Sequence, residues 1–272
     1  MDANDVRPVG VFDSGVGGLS VLRCMREELP NEDFLYVADS GYAPYGDKLA
    51  EYIEKRAFTI TQFLIKEGAK AIVVACNTAT AVAIAKLRSA FDIPIIGMEP
   101  GVKPAIAATQ CKVVGIMATT ETLKSEKFRL LVNRFCNDCT IVTQACPGLV
   151  EQVERFDLEG KKTCELLKRY VGELLEKGVD IIVLGCTHYP FLSGIIQKIA
   201  GNGVKVIDTG VAVAREVRRR LEAAGILDDR LKVGMERFWT SGDLNNVQII
   251  IRQLWKGDAI VRPLPQGQMI VN

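Results

Sequence analysis

Short apolar runs alternate with longer amphipathic segments along most of the chain. The runs at 8–12, 34–38, 71–75, 93–97, 112–117, 140–144, 179–184 and 204–207 are brief and rich in Val and Ile. They read as strands apolar on both faces, the pattern of strands covered by helices. Between them lie helical patterns: one over 19–29 stops at Pro30, and one over 50–67 stops at Gly68, both expected exits. The tail continues with a helix over 211–224, a strand over 233–240 and a helix over 243–255. Strand and helix in alternation predict an α/β architecture of mainly parallel sheets flanked by helices.

The chain also resembles itself. Val9-Gly10-Val11-Phe12-Asp13-Ser14 aligns with Val114-Gly115-Ile116-Met117-Ala118-Thr119 at an offset of 105 residues. Ala71-Ile72-Val73-Val74-Ala75-Cys76 aligns with Ile181-Ile182-Val183-Leu184-Gly185-Cys186 at 110, and Glu99-Pro100-Gly101-Val102 with Asp208-Thr209-Gly210-Val211 at 109. Three matches in one order at nearly one offset indicate a duplication. It predicts two similar lobes related by a pseudo-twofold axis, 1–98 with 210–272 and 99–209, the tail returning to the first. Ligands bind beyond the carboxyl ends of parallel strands, so lobes facing each other there place Cys76 and Cys186 on opposite walls of one cleft.

Length agrees, since 272 residues suit two domains of roughly 150. The 34 Lys plus Arg against 33 Asp plus Glu leave no electrostatic footprint for nucleic acid or an anionic membrane. No apolar run approaches the roughly 18 residues of a membrane helix, and residues 1–8 lack a basic stretch followed by an apolar one. Eight cysteines in a core-rich chain read as reduced thiols. A soluble cytoplasmic enzyme is expected.

The candidate chemistry sits at predicted strand ends. Cys76-Asn77-Thr78 and Cys186-Thr187-His188 each follow a strand and precede a helix. A thiol at the positive end of a helix is expected below its free pKa of roughly 8.5. Asp13-Ser14-Gly15-Val16-Gly17-Gly18 follows the first strand and is neither a dinucleotide fingerprint nor a P-loop. It reads as a turn with Ser14 capping the next helix, or as a cradle of N–H groups for a small anion. Gly41 to Gly46 is a turn-rich loop by composition. His188 is the only histidine, and its place two residues after Cys186 suggests proton handling. Cys136-x-x-Cys139 has no second pair to complete a zinc site, and with Cys24, Cys111, Cys146 and Cys164 it reads as structural.

Asp-Ser-Gly-Val-Gly-Gly (13–18), Pro-Tyr-Gly (44–46), Ala-Cys-Asn-Thr-Ala-Thr (75–80) and Gly-Cys-Thr-His-Tyr-Pro (185–190), in this order, resemble the glutamate racemases of bacterial cell-wall synthesis. The resemblance spans nearly the whole chain. It implies racemisation of glutamate in a cleft between two lobes, with no cofactor and no metal. Carried onto this sequence, it makes Cys76 the base toward D-glutamate and Cys186 the base toward L-glutamate, assisted by Asp13 and His188. Ser14, Pro44, Tyr45, Gly46, Asn77, Thr78, Thr119 and Thr187 are expected to hold the substrate, with Glu154, or its neighbour Glu151, as an acidic position. Against a sister enzyme for aspartate, Thr80 and His188 favour glutamate. A two-lobed binding protein without chemistry is the reading from another class. No nucleic-acid or membrane partner is implied, and a homodimer is one assembly the family allows.

Overall fold

The computed structural model describes residues 5–136 and 138–265; the ends of the lobe expected at 1–98 and 210–272, including the first half of the N-terminal stretch read above, lie outside them. Among the described residues the strands are β1 (Val9–Asp13), β2 (Phe34–Ala38), β3 (Ala71–Val74), β4 (Ile95–Gly97), β5 (Val113–Ala118), β6 (Thr140–Ala145), β7 (Ile181–Leu184), β8 (Lys205–Ile207), β9 (Glu236–Thr240) and β10 (Val261–Pro263). They form a six-stranded sheet, β10-β9-β2-β1-β3-β4, and a four-stranded sheet, β6-β5-β7-β8. Every pairing is parallel, so within each sheet all carboxyl ends lie along one edge. The tail returns as expected: β9 pairs with β2, and β10 with β9.

The duplication is visible in both order and register. β2-β1-β3-β4 and β6-β5-β7-β8 are the same arrangement. Val9 faces Ala71 across β1 and β3, and Val114 faces Ile181 across β5 and β7. These are the residues that the sequence offsets of 105 and 110 equate. Because a strand's side chains alternate between faces, a preserved register delivers equivalent residues to equivalent places.

Parallel neighbours need crossover connections, which the helices supply. The helix Leu19–Glu28 ends before Pro30. The helix Ala50–Lys66 is followed by Gly68 at φ +91°, the left-handed exit that favours glycine. β1, β2 and β3 are buried at every position, and each Val, Ile, Leu or Phe fully buried there contributes about 1.5–3 kcal/mol.

Two strands depart from the expectation of apolar burial on both faces. No residue of β6 or β8 is buried. Both are outer strands of the smaller sheet, with a neighbour on one side only. β10 was not expected at all. Among the described residues, no helix is long and apolar enough to cross a membrane.

Candidate active site

The carboxyl ends of both sheets supply the site. On the first, Cys76 follows β3 and is the N-cap of the helix Asn77–Ala90. Its extended backbone turns Sγ onto the first helical turn, where Ala79 N–H donates to it at 3.4 Å. The thiol lies 3.7 Å from Ser14 Oγ, so Ser14 serves Cys76 rather than capping the following helix, whose N-cap is Gly18 with no side-chain bond. Asp13 ends β1 fully buried, accepting from Gly15 N–H at 2.7 Å and from the Thr187 hydroxyl of the other sheet at 2.8 Å. Burial raises its carboxyl to about 6 despite the His188 charge and these two donors.

The expectation of a lowered Cys76 pKa is overturned. Burial and the Asp13 charge push the thiol up to about 12, outweighing the Ala79 N–H and Ser14. A helix terminus contributes at most a couple of kcal/mol, whereas a thiolate without water beside a carboxylate is opposed by both desolvation and repulsion.

The second sheet presents Cys186 two residues after β7. Its Sγ lies 3.7 Å from His188 Nδ1, and His188 Nε2 lies 2.7 Å from Glu154 Oε1. The same Glu154 oxygen accepts from Val16 N–H at 2.7 Å, while Oε2 accepts from Ser40 Oγ–H at 2.8 Å. Burial pulls the imidazole down, but its bonds to Cys186 and Glu154 and the charges of Cys186 and Asp13 raise it well above its ordinary value. Of the glycine loop's N–H groups, that of Val16 is taken by the chain's own Glu154 and that of Gly15 by Asp13. This approach needs glycines: a Cβ at Gly15 would lie 1.9 Å from Glu154 Oε1, and one at Gly17 2.3 Å from His188 Nδ1.

Other expected residues gather around these two arms. Thr78 Oγ1 lies 2.9 Å from Thr119 Oγ1 and 3.1 Å from Thr122 Oγ1, and Thr119 donates to Thr122 at 2.9 Å. Both side-chain polar atoms of Asn77 are buried without a hydrogen-bond partner among the described residues, leaving a donor and an acceptor for a ligand. Pro44, Gly46, Thr119, Cys146 and Glu151 border a small cavity of about 20 Å³. Glu154 meets His188; Glu151 has no such contact.

Tyr45 stands apart. Its hydroxyl donates to Asp39 at 2.6 Å, and Arg56 holds that carboxylate from the other side. Thr80 also turns away: its hydroxyl donates to Val74 C=O and accepts from Met98 N–H. The Cys136 thiol donates to Cys139 C=O, away from this site. Sequence reading missed Ser40, Thr122 and Tyr36, whose hydroxyl donates to Gly15 C=O at 2.8 Å. The available signals were Ser40's place just beyond β2 and Thr122's three-residue spacing from Thr119. Among the described residues no three His, Cys, Asp or Glu side chains form a metal site.

Two thiols thus converge from equivalent strand ends, one beside a carboxylate and one beside an imidazole tied to a carboxylate. The pair can remove a proton from one face of a small molecule and return one to the other.

Comparison with known proteins agrees. The sequence pattern of the Asp/Glu/Hydantoin racemase family matches residues 9–217. The glutamate racemase of Methylococcus capsulatus is 58% identical over 260 residues, covering 96% of each chain. Among solved structures, glutamate racemase isoform RacE1 of Bacillus anthracis superposes with a TM-score of 0.89 at 32% identity, covering 97% of this chain and 99% of that one. The Francisella tularensis glutamate racemase, solved in complex with D-glutamate, has a TM-score of 0.83 at 29% identity, covering 96% and 98%. With this match over most of its length and with the site its strand ends build, the chain belongs to the Asp/Glu/hydantoin racemase family.

Proposed function

We propose that the chain interconverts L- and D-glutamate without a cofactor and supplies D-glutamate for peptidoglycan synthesis. One observation carries this reading: two cysteines occupy equivalent strand ends of two facing sheets, each with its own acid–base partner. A glutamate held between them presents one face of its α-carbon to each thiol. Cys186 takes the α-proton of L-glutamate and Cys76 delivers its proton to the opposite face, giving D-glutamate; the reverse reaction exchanges the roles. One cysteine begins as thiolate and the other as thiol, and each turnover swaps them.

Removing the α-proton builds charge onto the α-carboxylate. Fixed donors in a closed site stabilise it, by about 2.7–4 kcal/mol for one well-placed group. Ser14, Asn77, Thr78, Thr119 and Thr187 are the side chains we assign to this task, with the Pro44–Gly46 backbone shaping the far end for the distal carboxylate. The lobes in this reading are 1–98 with 210–272, and 99–209. Eight free cysteines suit a reducing cytoplasm, where we place the enzyme. A homodimer is part of the proposal, and light scattering across protein concentrations reads it.

Circular dichroism of L-glutamate, then D-glutamate, incubated with purified protein and no added cofactor tests the reading. Each signal should decay to zero. A static signal from both enantiomers would leave a binding protein, and equal kcat/KM for aspartate would move the substrate one methylene shorter.

A further inference from the structure

Tyr36 lies at the centre of β2, buried, with its hydroxyl 2.8 Å from Gly15 C=O. That carbonyl belongs to the same peptide unit as Val16 N–H, which donates to Glu154 Oε1 at 2.7 Å. The same Glu154 oxygen is the one that His188 Nε2 contacts at 2.7 Å. Gly15 N–H, on the preceding peptide, donates to Asp13 at 2.7 Å. One tyrosine therefore grips the short backbone stretch that touches both acid–base arms.

We propose that Tyr36 is a positioning residue whose phenol sets the Gly15–Val16 peptide and, through it, how firmly Glu154 holds His188 against Cys186. The inference rests on the racemase reading above. A donor on a peptide carbonyl polarises the unit and strengthens its N–H at the other end. Val16 N–H and His188 Nε2 share one oxygen of Glu154, so a stronger peptide donor leaves less negative charge for the imidazole. Burial, and then the neighbouring charges of Asp13 and Glu154, keep the phenol protonated and able to donate. A Cβ at Gly18 would stand 3.0 Å from Tyr36 Oη and 2.7 Å from Asp13 Cβ, which shows how closely the loop is packed on both.

The test uses the fact that His188 is the only histidine, so its imidazole gives one titrating NMR resonance that can be followed whether or not the protein is turning over. Tyr36→Phe keeps the ring and removes the donor. The peptide N–H weakens, Glu154 keeps more charge for His188, and the His188 midpoint moves to higher pH. Site-specific replacement of Tyr36 by 3-fluorotyrosine, a stronger donor, moves the midpoint to lower pH. In the racemisation assay Tyr36→Phe lowers kcat roughly three- to ten-fold, the effect of about one hydrogen bond, with KM nearly unchanged. Opposite shifts in the two variants support the proposal. Midpoints that stay put, or that move in the same direction, overturn it, because a merely structural tyrosine has no reason to respond with opposite signs. Failure of the wild type to racemise glutamate would instead overturn the reading of the site, and the NMR result would still stand on its own.

Discussion

Asp13 shows what one buried residue costs and supplies. Its carboxyl is raised from 3.8 to about 6 by burial, so the folded protein binds this proton more tightly than the unfolded chain does. The associated stability is fully present below pH 3.8 and is lost as pH rises through about 6, a difference of about 3 kcal/mol. At neutral pH the protein carries that cost in order to keep a carboxylate beside Cys76. Asp13→Asn should therefore melt several degrees above wild type at pH 8 and close to it at pH 3.5, at about 2–4 °C per kcal/mol for a chain of this size. The same variant should lose at least about a hundredfold in kcat, the usual worth of a placed acid–base group. Wild-type kcat/KM should fall as pH drops below about 6. Thermal melts and initial rates across pH check all three, and a variant less stable than wild type at pH 8 would show that the carboxylate is not the strained partner.

At the scale of elements, the glycine loop and the strand ends decide the geometry. Gly17→Ala puts a Cβ 2.3 Å from His188 Nδ1, so the imidazole must leave Cys186. Displacements of about 1 Å at a reacting centre cost on the order of a hundredfold, so kcat for Gly17→Ala should fall by that much, and overpacking of about 1–3 kcal/mol should lower the melting temperature by several degrees. Activity within twofold of wild type would mean that the His188–Cys186 contact is dispensable.

The element scale is also where the sequence was most legible. β2 could be bounded to the residue because Phe34–Ala38 is an apolar run between Asp33 and Asp39. β10 could not: its three residues include exposed Arg262 and Pro263, and it exists because the outer edge of β9 offers it a partner. The cysteines, Asp13 and His188 were readable because parallel strands deliver such residues to one edge. Ser40 and Tyr36 were not, because Ser40 matters through Glu154, 114 residues away, and Tyr36 through a backbone carbonyl. The Cys76 pKa was misjudged for a related reason, since burial is a property of the assembled lobes rather than of a local motif.

For the whole molecule, the contacts across the cleft matter most. Thr187 to Asp13, Val16 and Ser40 to Glu154, Ser20 to Thr187 C=O, and Thr78 to Thr119 all join elements of one sheet to elements of the other. They tie to one another the strand ends that carry the two thiols, and in the proposed reaction neither base then has to move. In deuterium oxide, each product enantiomer should carry deuterium at the α-carbon while the remaining substrate carries little in early turnover. A single swinging base would wash deuterium into the substrate as well, and mass spectrometry of the separated enantiomers distinguishes the two. Cys76→Ser and Cys186→Ser should each abolish net racemisation, with non-additive losses because the two thiols act as a unit.

The shared order of β2-β1-β3-β4 and β6-β5-β7-β8 has a geometric consequence. The two amino-acid enantiomers are mirror images, yet a chain of L-residues can contain a rotation axis and never a reflection plane. Doubling the lobe can therefore give two thiols like surroundings related by rotation, but never the mirror-image surroundings that would treat both enantiomers alike. The mismatch has to be absorbed somewhere, and it falls on the helpers: a lone carboxylate on one side, an imidazole tethered to a carboxylate on the other. Such an enzyme must reach a racemic mixture, because thermodynamics allows no handedness in the final balance. Its two halves of the journey nonetheless differ in height, so one enantiomer should accumulate on the protein more than its twin.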